Sequence, residues 1–182
     1  MRASIARLPS ARTSFERLLT AILPFEILGD MKVLFLDIDG VLNRLGDAEG
    51  YGATKERVDG TMFVGLDPDL LEIYKDMLAR LDVIVVLSST WRLLPELCEH
   101  LEKHGVYFHD MTICADAALE LPRGIEIQLW LDEHPDEVEK YAILDDVDDM
   151  LEHQMPNFFQ TNPRTGLTQR LADRVVAHFT FL

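Results

Sequence analysis

The sequence has few cysteines and no long apolar run, and these two deficits limit the class of protein it can encode. Cys98 and Cys114 are the only cysteines among 182 residues. Two scattered thiols are too few for a disulfide framework or a zinc site. No apolar stretch approaches the roughly 20 residues that a membrane helix needs. We therefore expect a soluble protein of the reducing cytoplasm, with no membrane partner.

Basic residues are also scarce. The chain has 17 Lys and Arg against 32 Asp and Glu, for a net charge of −15. This balance argues against a polyanion held by bulk electrostatics, because such binding neutralises many phosphates with many cations. A small phosphorylated substrate remains compatible, since a bound metal ion can reverse the local field. Hydrophobic residues make up 48% of the chain, which supports the core of one folded domain.

The first thirty residues differ from the rest in composition. Arginine recurs through them and no acid precedes Glu16, a composition that is typical of transit peptides. The alternative is an extension that carries no chemistry, and we favour it because the first predicted strand begins directly after Met31. We thus predict an N-terminal extension at 1–30 and one α/β domain at 31–182, with a short flap at about 44–66.

Apolar runs and segments of helical periodicity alternate from Lys32 onward. The predicted strands are 33–36, 83–87, 111–114, 141–144 and 158–160, and the predicted helices are 67–80, 94–103, 124–133 and 168–178. Strands separated by helices pair in parallel through right-handed crossovers. The sequence therefore predicts a three-layer α/β sandwich around a central, mostly parallel, Rossmann-like sheet of about five strands.

Polar residues follow the predicted strands at their carboxyl ends. Asp37 and Asp39 follow the first strand, Ser88 follows the second, and Asp145 and Asp146 follow the fourth. A parallel sheet brings these ends to one edge, where ligands bind. Crowded carboxylates need a compensating cation, and an all-oxygen site suits Mg²⁺. The pattern predicts a magnesium site in which all four of these aspartates take part.

Each of these motifs also has a simpler interpretation. The DIDG segment could be an Asp-Gly turn or a calcium loop, but a calcium loop needs an oxygen ligand at its fifth position and Glu at its twelfth. Val41 and Ala48 stand there instead. The acids after the fourth strand could form a solvated turn, and Ser88 could be a capping hydroxyl. Ser89 is closer to the next helix and suits that capping role better.

Three segments resemble motifs of the haloacid dehalogenase (HAD) superfamily of phosphohydrolases. LDIDGVLN resembles the first motif, LSST the second and ILDD the fourth. The motifs occur in the family's order, each at the end of a predicted strand, and the resemblance extends from about residue 32 to the C-terminus.

The resemblance implies a role for each matched residue. Asp37 would be the nucleophile that forms an aspartyl-phosphate. Asp39 would be the general acid and base, with its main-chain carbonyl oxygen on the metal. Ser88 would bind a phosphate oxygen, helped by backbone amides in the loop of Gly40, the residue that permits the sharp turn. The pair that follows the fourth strand, Asp145 and Asp146, would hold Mg²⁺, one of them directly and the other through water.

The family's third motif is usually a lysine, and here the chain departs from the pattern. Lys140 lies five residues before Asp145, about 16 Å away at strand rise and toward the opposite edge of the sheet. Arg123 precedes a predicted helix, and helices begin at the edge where strands end. We therefore expect Arg123 to bind phosphate in a forked geometry. Arg92, in STWR, and Ser89 are further candidates for contacting the substrate.

The expected function is a Mg²⁺-dependent phosphatase that hydrolyses phosphomonoesters of small molecules. The 26 residues from Val41 to Leu66 are fewer than the ~40 a cap domain needs to fold alone. An open site would also admit a nucleic-acid end, and some compact relatives with a similar DIDGVLN…S(S/T)WR…LDD pattern are associated with RNA end repair. A non-catalytic, receiver-like module is the third alternative, which the order of the motifs disfavours. The sequence leaves the oligomeric state open.

Overall fold

The computed structural model describes residues 31–46, 55–113 and 121–181. The predicted N-terminal extension and residues 47–54 of the flap lie outside the described residues. The described strands are β1 Met31–Leu36, β2 Lys55–Val58, β3 Thr61–Val64, β4 Ile84–Leu87, β5 Asp110–Met111, β6 Val138–Asp145 and β7 Phe158–Gln160. The described helices are α1 Pro68–Leu78, α2 Pro95–Lys103, α3 Arg123–Glu133 and α4 Gln169–Thr180, with short 3-10 helices at Thr90–Leu93 and Glu152–Asn157.

Five strands form a parallel sheet in the order β5-β4-β1-β6-β7. The first strand of the chain is therefore its centre, which explains why MKVLFL is almost entirely apolar. Alternate residues of β1 enter two separate cores. Val33 and Phe35 pack with Trp130 of α3 on one face, whereas Leu34 and Leu36 pack on the other face with residues of α1, α2 and α4. This arrangement confirms the predicted α/β sandwich with a Rossmann-like parallel sheet.

The ends of two strands differ from the sequence-based expectation. β5 is a two-residue strand, shorter than the four residues predicted, and Met111 and Ile113 are exposed. An edge strand pairs on one side only, so apolar character alone overestimates its length. β6 begins three residues earlier than predicted, at Val138, because Lys140 pairs with Lys32 in the ladder despite its charge.

The antiparallel pair β2–β3 forms a hairpin within the predicted flap. The hairpin rests on the main domain through Phe63, whose ring meets those of Trp91 and His100 edge-on at 5.2 and 5.3 Å between centroids. His100 Nε2 also lies 3.2 Å from a carboxylate oxygen of Glu56. The hairpin therefore contacts the segment that follows β4. Within the ranges described above, no helix is both long enough and apolar enough to cross a membrane.

Candidate active site

The sheet register places the predicted site residues side by side. Leu36, the last residue of β1, is paired with Leu87 of β4 and with Leu144 of β6. The main chain continues these ladders for one step: Asp37 N–H donates to Leu144 O at 3.0 Å, and Ser88 N–H donates to Leu36 O at 2.9 Å. Asp37, Ser88 and the end of β6 therefore lie together at the carboxyl edge of the sheet.

Three carboxylates meet at this edge. One oxygen each of Asp37, Asp145 and Asp146 lies within 4.8 Å of the others. Asp37 is 4% exposed and Asp145 is 1% exposed. Burial, and to a lesser extent the charge of Asp145, raise the pKa of Asp37 to about 8. Burial likewise raises the pKa of Asp145 to about 6 and moves the pKa of Asp146 upward. The cluster is electrostatically unfavourable when ionised, unless positive charge compensates it.

Arg123 supplies part of that positive charge. It is the first residue of α3, and its Nη2 lies 3.5 Å from Asp37 Oδ1 while its Nε lies 3.2 Å from Asp145 Oδ2. The guanidinium lowers the pKa of both carboxyls, against the effect of burial. Lys140, the alternative candidate, points its Nζ to Phe181 O at 2.9 Å. The structure thus brings Arg123, and not Lys140, to the acidic cluster.

Asp39 is held apart from the three clustered carboxylates. Its Oδ1 accepts a hydrogen bond from Asn43 Nδ2 at 2.8 Å, and its Oδ2 accepts one from Trp91 Nε1 at 3.0 Å. Asn43 Nδ2 also donates to Val64 O of the hairpin at 3.1 Å. Both carboxylate oxygens are therefore oriented by donors, while the residue itself is only half-buried. Among described residues, no donor engages its main-chain carbonyl oxygen.

Gly40 shapes the turn that directly follows Asp37 and Asp39. Its φ is +69°, and a Cβ added there would come within 2.5 Å of Asp146 Oδ2, so only glycine allows this close approach. Its N–H donates to Asn43 Oδ1 at 2.9 Å, and its carbonyl oxygen accepts from Thr161 Oγ1 at 2.7 Å. The N–H of Gly40 is therefore not free to bind phosphate, because it already donates to Asn43.

The two serines after β4 differ in their surroundings. Ser88 Oγ is buried and has no hydrogen-bond partner among the described residues. Ser89 caps the 3-10 helix by accepting from Trp91 N–H at 3.4 Å, and its hydroxyl also lowers the pKa of Asp37 through a hydrogen bond. Ser88 therefore has a free donor beside the acids, whereas Ser89 supports the loop and Asp37.

The guanidinium group of Arg92 is not available for contact with a substrate. The guanidinium is buried, and it donates to Ser88 O and Ser89 O through Nη1 at 2.6 and 2.7 Å. Its Nε donates to Thr112 O at 3.0 Å, and its Nη2 pairs with Glu126 Oε2 at 2.6 Å. All three guanidinium nitrogens are thus engaged within the protein. We therefore reassign Arg92 from substrate contact to the framework of the site.

Residues 33–172, more than half of the chain, match the family described as the HAD domain in Swiss Army Knife RNA repair proteins. The chain belongs to this HAD family. No curated protein matches the chain significantly. The family assignment places the acidic edge of the sheet among sites that generally carry hydrolase chemistry.

The donor set of this HAD domain fits a divalent cation. Asp145 Oδ2 is buried, and no described residue gives it a hydrogen bond of good geometry. Apart from the ion pair with Arg123, this buried oxygen has no partner among the described residues, and beside two other carboxylates it is the arrangement that a hard, oxygen-preferring cation would complete. The three oxygens lie within 4.8 Å of one another, so the donor set is that of a site for a divalent cation with oxygen ligands.

Several residues that shape the site were not predicted from the sequence. Asn43 and Trp91 orient Asp39, and Glu126 pairs with Arg92 and lies 3.5 Å from Arg123 Nη1. Asn43 belongs to LDIDGVLN and Trp91 to STWR, so proximity to the motifs could have indicated them. Nothing local distinguishes Glu126 from other helical glutamates. Its role depends on the tertiary contact alone.

Arg92→Lys should destabilise the protein by about 2 kcal/mol, because one ammonium cannot reach Thr112 O, the two serine carbonyls and Glu126 together. Urea denaturation followed by circular dichroism measures the change in unfolding free energy. Arg80→Lys is the control, since its exposed pair with Asp173 contributes about 0.5 kcal/mol at most. Equal effects of the two substitutions would contradict the framework role of Arg92.

The raised pKa values predict how stability depends on pH when no divalent ion is bound. Both carboxyls have an unfolded value of 3.8, so between pH 4 and 8 the folded state binds more protons than the unfolded state. Its unfolding free energy must then fall as the pH rises, by at most about 1.4 kcal/mol per pH unit for each such proton. Denaturation in chelator at pH 5, 6.5 and 8 measures this slope. Asp37→Asn should flatten the slope and stabilise the protein at pH 8; an unchanged slope would show that Asp37 is not the group responsible.

Proposed function

We propose that this protein is a Mg²⁺-dependent phosphatase that hydrolyses phosphomonoesters through an aspartyl-phosphate on Asp37. The observation that carries the proposal is the buried cluster of Asp37, Asp145 and Asp146, with Arg123 beside it, at the carboxyl edge of a HAD sheet. Ser88 supports it with a buried hydroxyl that has no partner among the described residues. Acids, a guanidinium and a free hydroxyl together suit a transferring phosphoryl group.

In the first step, a carboxylate oxygen of Asp37 attacks the phosphorus atom. The bond between phosphorus and the ester oxygen breaks, and its electron pair leaves with that oxygen. Asp39 donates its proton to the leaving oxygen, so that an alcohol departs. Arg123 and Ser88 donate hydrogen bonds to the non-bridging phosphate oxygens. The product of this step is an acyl phosphate on Asp37.

In the second step, Asp39 acts as a base, because it lost its proton in the first step. It accepts a proton from water, whose oxygen attacks the phosphorus atom of the acyl phosphate. The bond between phosphorus and the Asp37 oxygen breaks, which restores the carboxylate and releases inorganic phosphate. Mg²⁺ held by Asp37, Asp145, Asp146 and the Asp39 main-chain carbonyl would offset the repulsion between nucleophile and phosphate. Every proton is returned, so both acids end the cycle as they began it.

The surroundings of Asp39 support its role in proton transfer. Asn43 and Trp91 fix both of its oxygens, while its partial exposure leaves it accessible to a leaving group and to water. Asp37 by contrast is almost fully buried. This division of burial between two acids that are one residue apart matches a nucleophile that must be shielded and an acid that must exchange protons with solvent.

A phosphorylated small molecule is the substrate class we favour. The acidic balance of the chain, 32 acids against 17 bases, disfavours extended contact with a polyanion. A nucleic-acid end is the second candidate, and the specific observation in its favour is the matched family, whose description names RNA repair proteins. Only a substrate comparison separates these two candidates.

Asp37→Asn should reduce Mg²⁺-dependent hydrolysis of p-nitrophenyl phosphate by a factor on the order of 10³ or more, because an amide oxygen is a poor nucleophile. The assay compares variant and wild type with Mg²⁺ and with chelator, and circular dichroism verifies the fold. Asp82→Asn, at an exposed position, is the matched control. Wild-type turnover by the Asp37 variant would refute the nucleophile assignment. The same assay, extended to sugar phosphates, nucleotides and oligonucleotides with 3′- or 5′-phosphate, ranks the substrate classes.

Trp91→Phe should lower kcat roughly tenfold for alkyl phosphates and less for p-nitrophenyl phosphate. The substitution keeps a ring against Phe63 but removes the indole N–H that orients Asp39. Poor leaving groups depend most on protonation, so they should suffer most when the acid is misplaced. Trp130→Phe is the control, since its indole N–H donates to Asp110, away from the acids. Equal losses for both leaving groups would assign Trp91 a purely structural role.

A further inference from the structure

A cavity lies next to the candidate active site, at the carboxyl end of β7. It has a volume of about 240 Å³, and it lies between the segment 160–168 and the first turns of α4. Its lining is polar and basic, and no acidic residue lines it among the residues described. This is unusual in a chain with a net charge of −15. The chemistry of the walls therefore favours an anion.

The positive charge of this cavity comes from two arginines. Arg170 and Arg174 both line it, and they stand four residues apart on α4, so they share one face of the helix. Arg174 is positioned by the ring of Phe159, with its Cζ 5.6 Å from the ring centroid. Neither arginine forms an ion pair within the described residues, a property they share with Arg57 and Arg164, so both guanidinium groups can accept an anion.

The cavity and the acidic cluster are separated by a thin, shared wall. Thr161 lines the cavity, and it also donates from Oγ1 to Gly40 O and from its N–H to Asp145 O at 2.9 Å. Gln160, another lining residue, donates from Nε2 to Asp146 O at 3.0 Å. β7 is two strands from β1, so the end of β7 that lines the cavity lies roughly 10 Å from the end of β1 that carries Asp37. A substrate whose two phosphates lie about that far apart would reach both sites by passing over this wall.

We infer that this cavity is a second anion subsite, in which Arg170 and Arg174 bind a further phosphate group of the same substrate. The inference rests on the proposed phosphatase function, because it places the scissile phosphate at Asp37. Two paired guanidinium groups on one helix face suit the forked recognition of phosphate oxygens. The preferred substrate would then carry at least two well-separated phosphates, as a bisphosphorylated small molecule or as a polynucleotide end with a phosphodiester farther along the strand.

The test is a binding series on the full chain carrying Asp37→Asn, in the presence of Mg²⁺, so that no turnover is needed. The probes are fructose 6-phosphate, fructose 1,6-bisphosphate, whose phosphates are well separated, and hexaribonucleotides with a 3′- or 5′-terminal phosphate. Affinities are measured by isothermal titration calorimetry. The further substitutions are Arg170→Gln, Arg174→Gln and both together, with Lys103→Gln on the exposed face of α2 as the charge-matched control.

We expect the doubly phosphorylated probes to bind more tightly than the monophosphate. Each arginine substitution should reduce that preference roughly tenfold, while Lys103→Gln leaves it unchanged. Preference for the bisphosphate over the hexanucleotides identifies a small-molecule source, and the reverse identifies a polynucleotide end. No preference for any second phosphate, or a preference that both arginine variants retain, would overturn the inference. Absence of hydrolysis by the wild-type protein would instead refute the proposed function. The binding series would still show whether the two arginines bind a second phosphate, because it needs no turnover.

Discussion

The repulsion among Asp37, Asp145 and Asp146 is the constraint around which this end of the molecule is organised. Three carboxylates with oxygens within 4.8 Å oppose folding unless positive charge is brought among them. Arg123 lies within 3.5 Å of two of them. Because α3 begins at that residue, the N-terminal end of the helix lies where a guanidinium can compensate the cluster. The helix in turn buries Ile127 and Trp130 against the sheet, so packing and charge compensation require the same placement.

A chain of alternating charges extends this organisation into the framework. Arg123 lies beside Glu126, and Glu126 pairs with the buried Arg92. Arg92 then donates to carbonyl oxygens of Ser88 and Thr112, which follow β4 and β5. A buried charge is tolerated only when it is paired and hydrogen-bonded, and here each member satisfies the next. The loops at the sheet edge are therefore joined to α3 by the same contacts that make the acidic cluster tolerable.

The sequence predicts those residues of the site that directly follow a strand. A buried run followed by Asp37, Ser88 or Asp145 indicates the carboxyl edge of a parallel sheet, and the ladder places those residues next to one another. Arg92 and Trp91 could not be assigned in this way, because both are neighbours of the motif and only their side-chain partners distinguish framework from substrate contact. Residue types at strand ends follow from local pattern, whereas buried polar pairs depend on which helix face arrives opposite them.

The hairpin is linked to Asp39 through two side chains. Asn43 bonds both Asp39 and the hairpin carbonyl of Val64, and Trp91 contacts both Asp39 and Phe63. Any movement of the hairpin must therefore change at least one donor to Asp39, whereas Asp37 is held by the ladder of the central sheet. The proposed nucleophile, Asp37, thus continues the central strand of the sheet, whereas Asp39, the residue proposed for proton transfer, lies at the boundary with the flap. The position of the hairpin and the orientation of Asp39 are consequently coupled through two side chains. Under the proposed mechanism, a substrate that displaces the hairpin would therefore alter protonation of the leaving group more than nucleophilic attack.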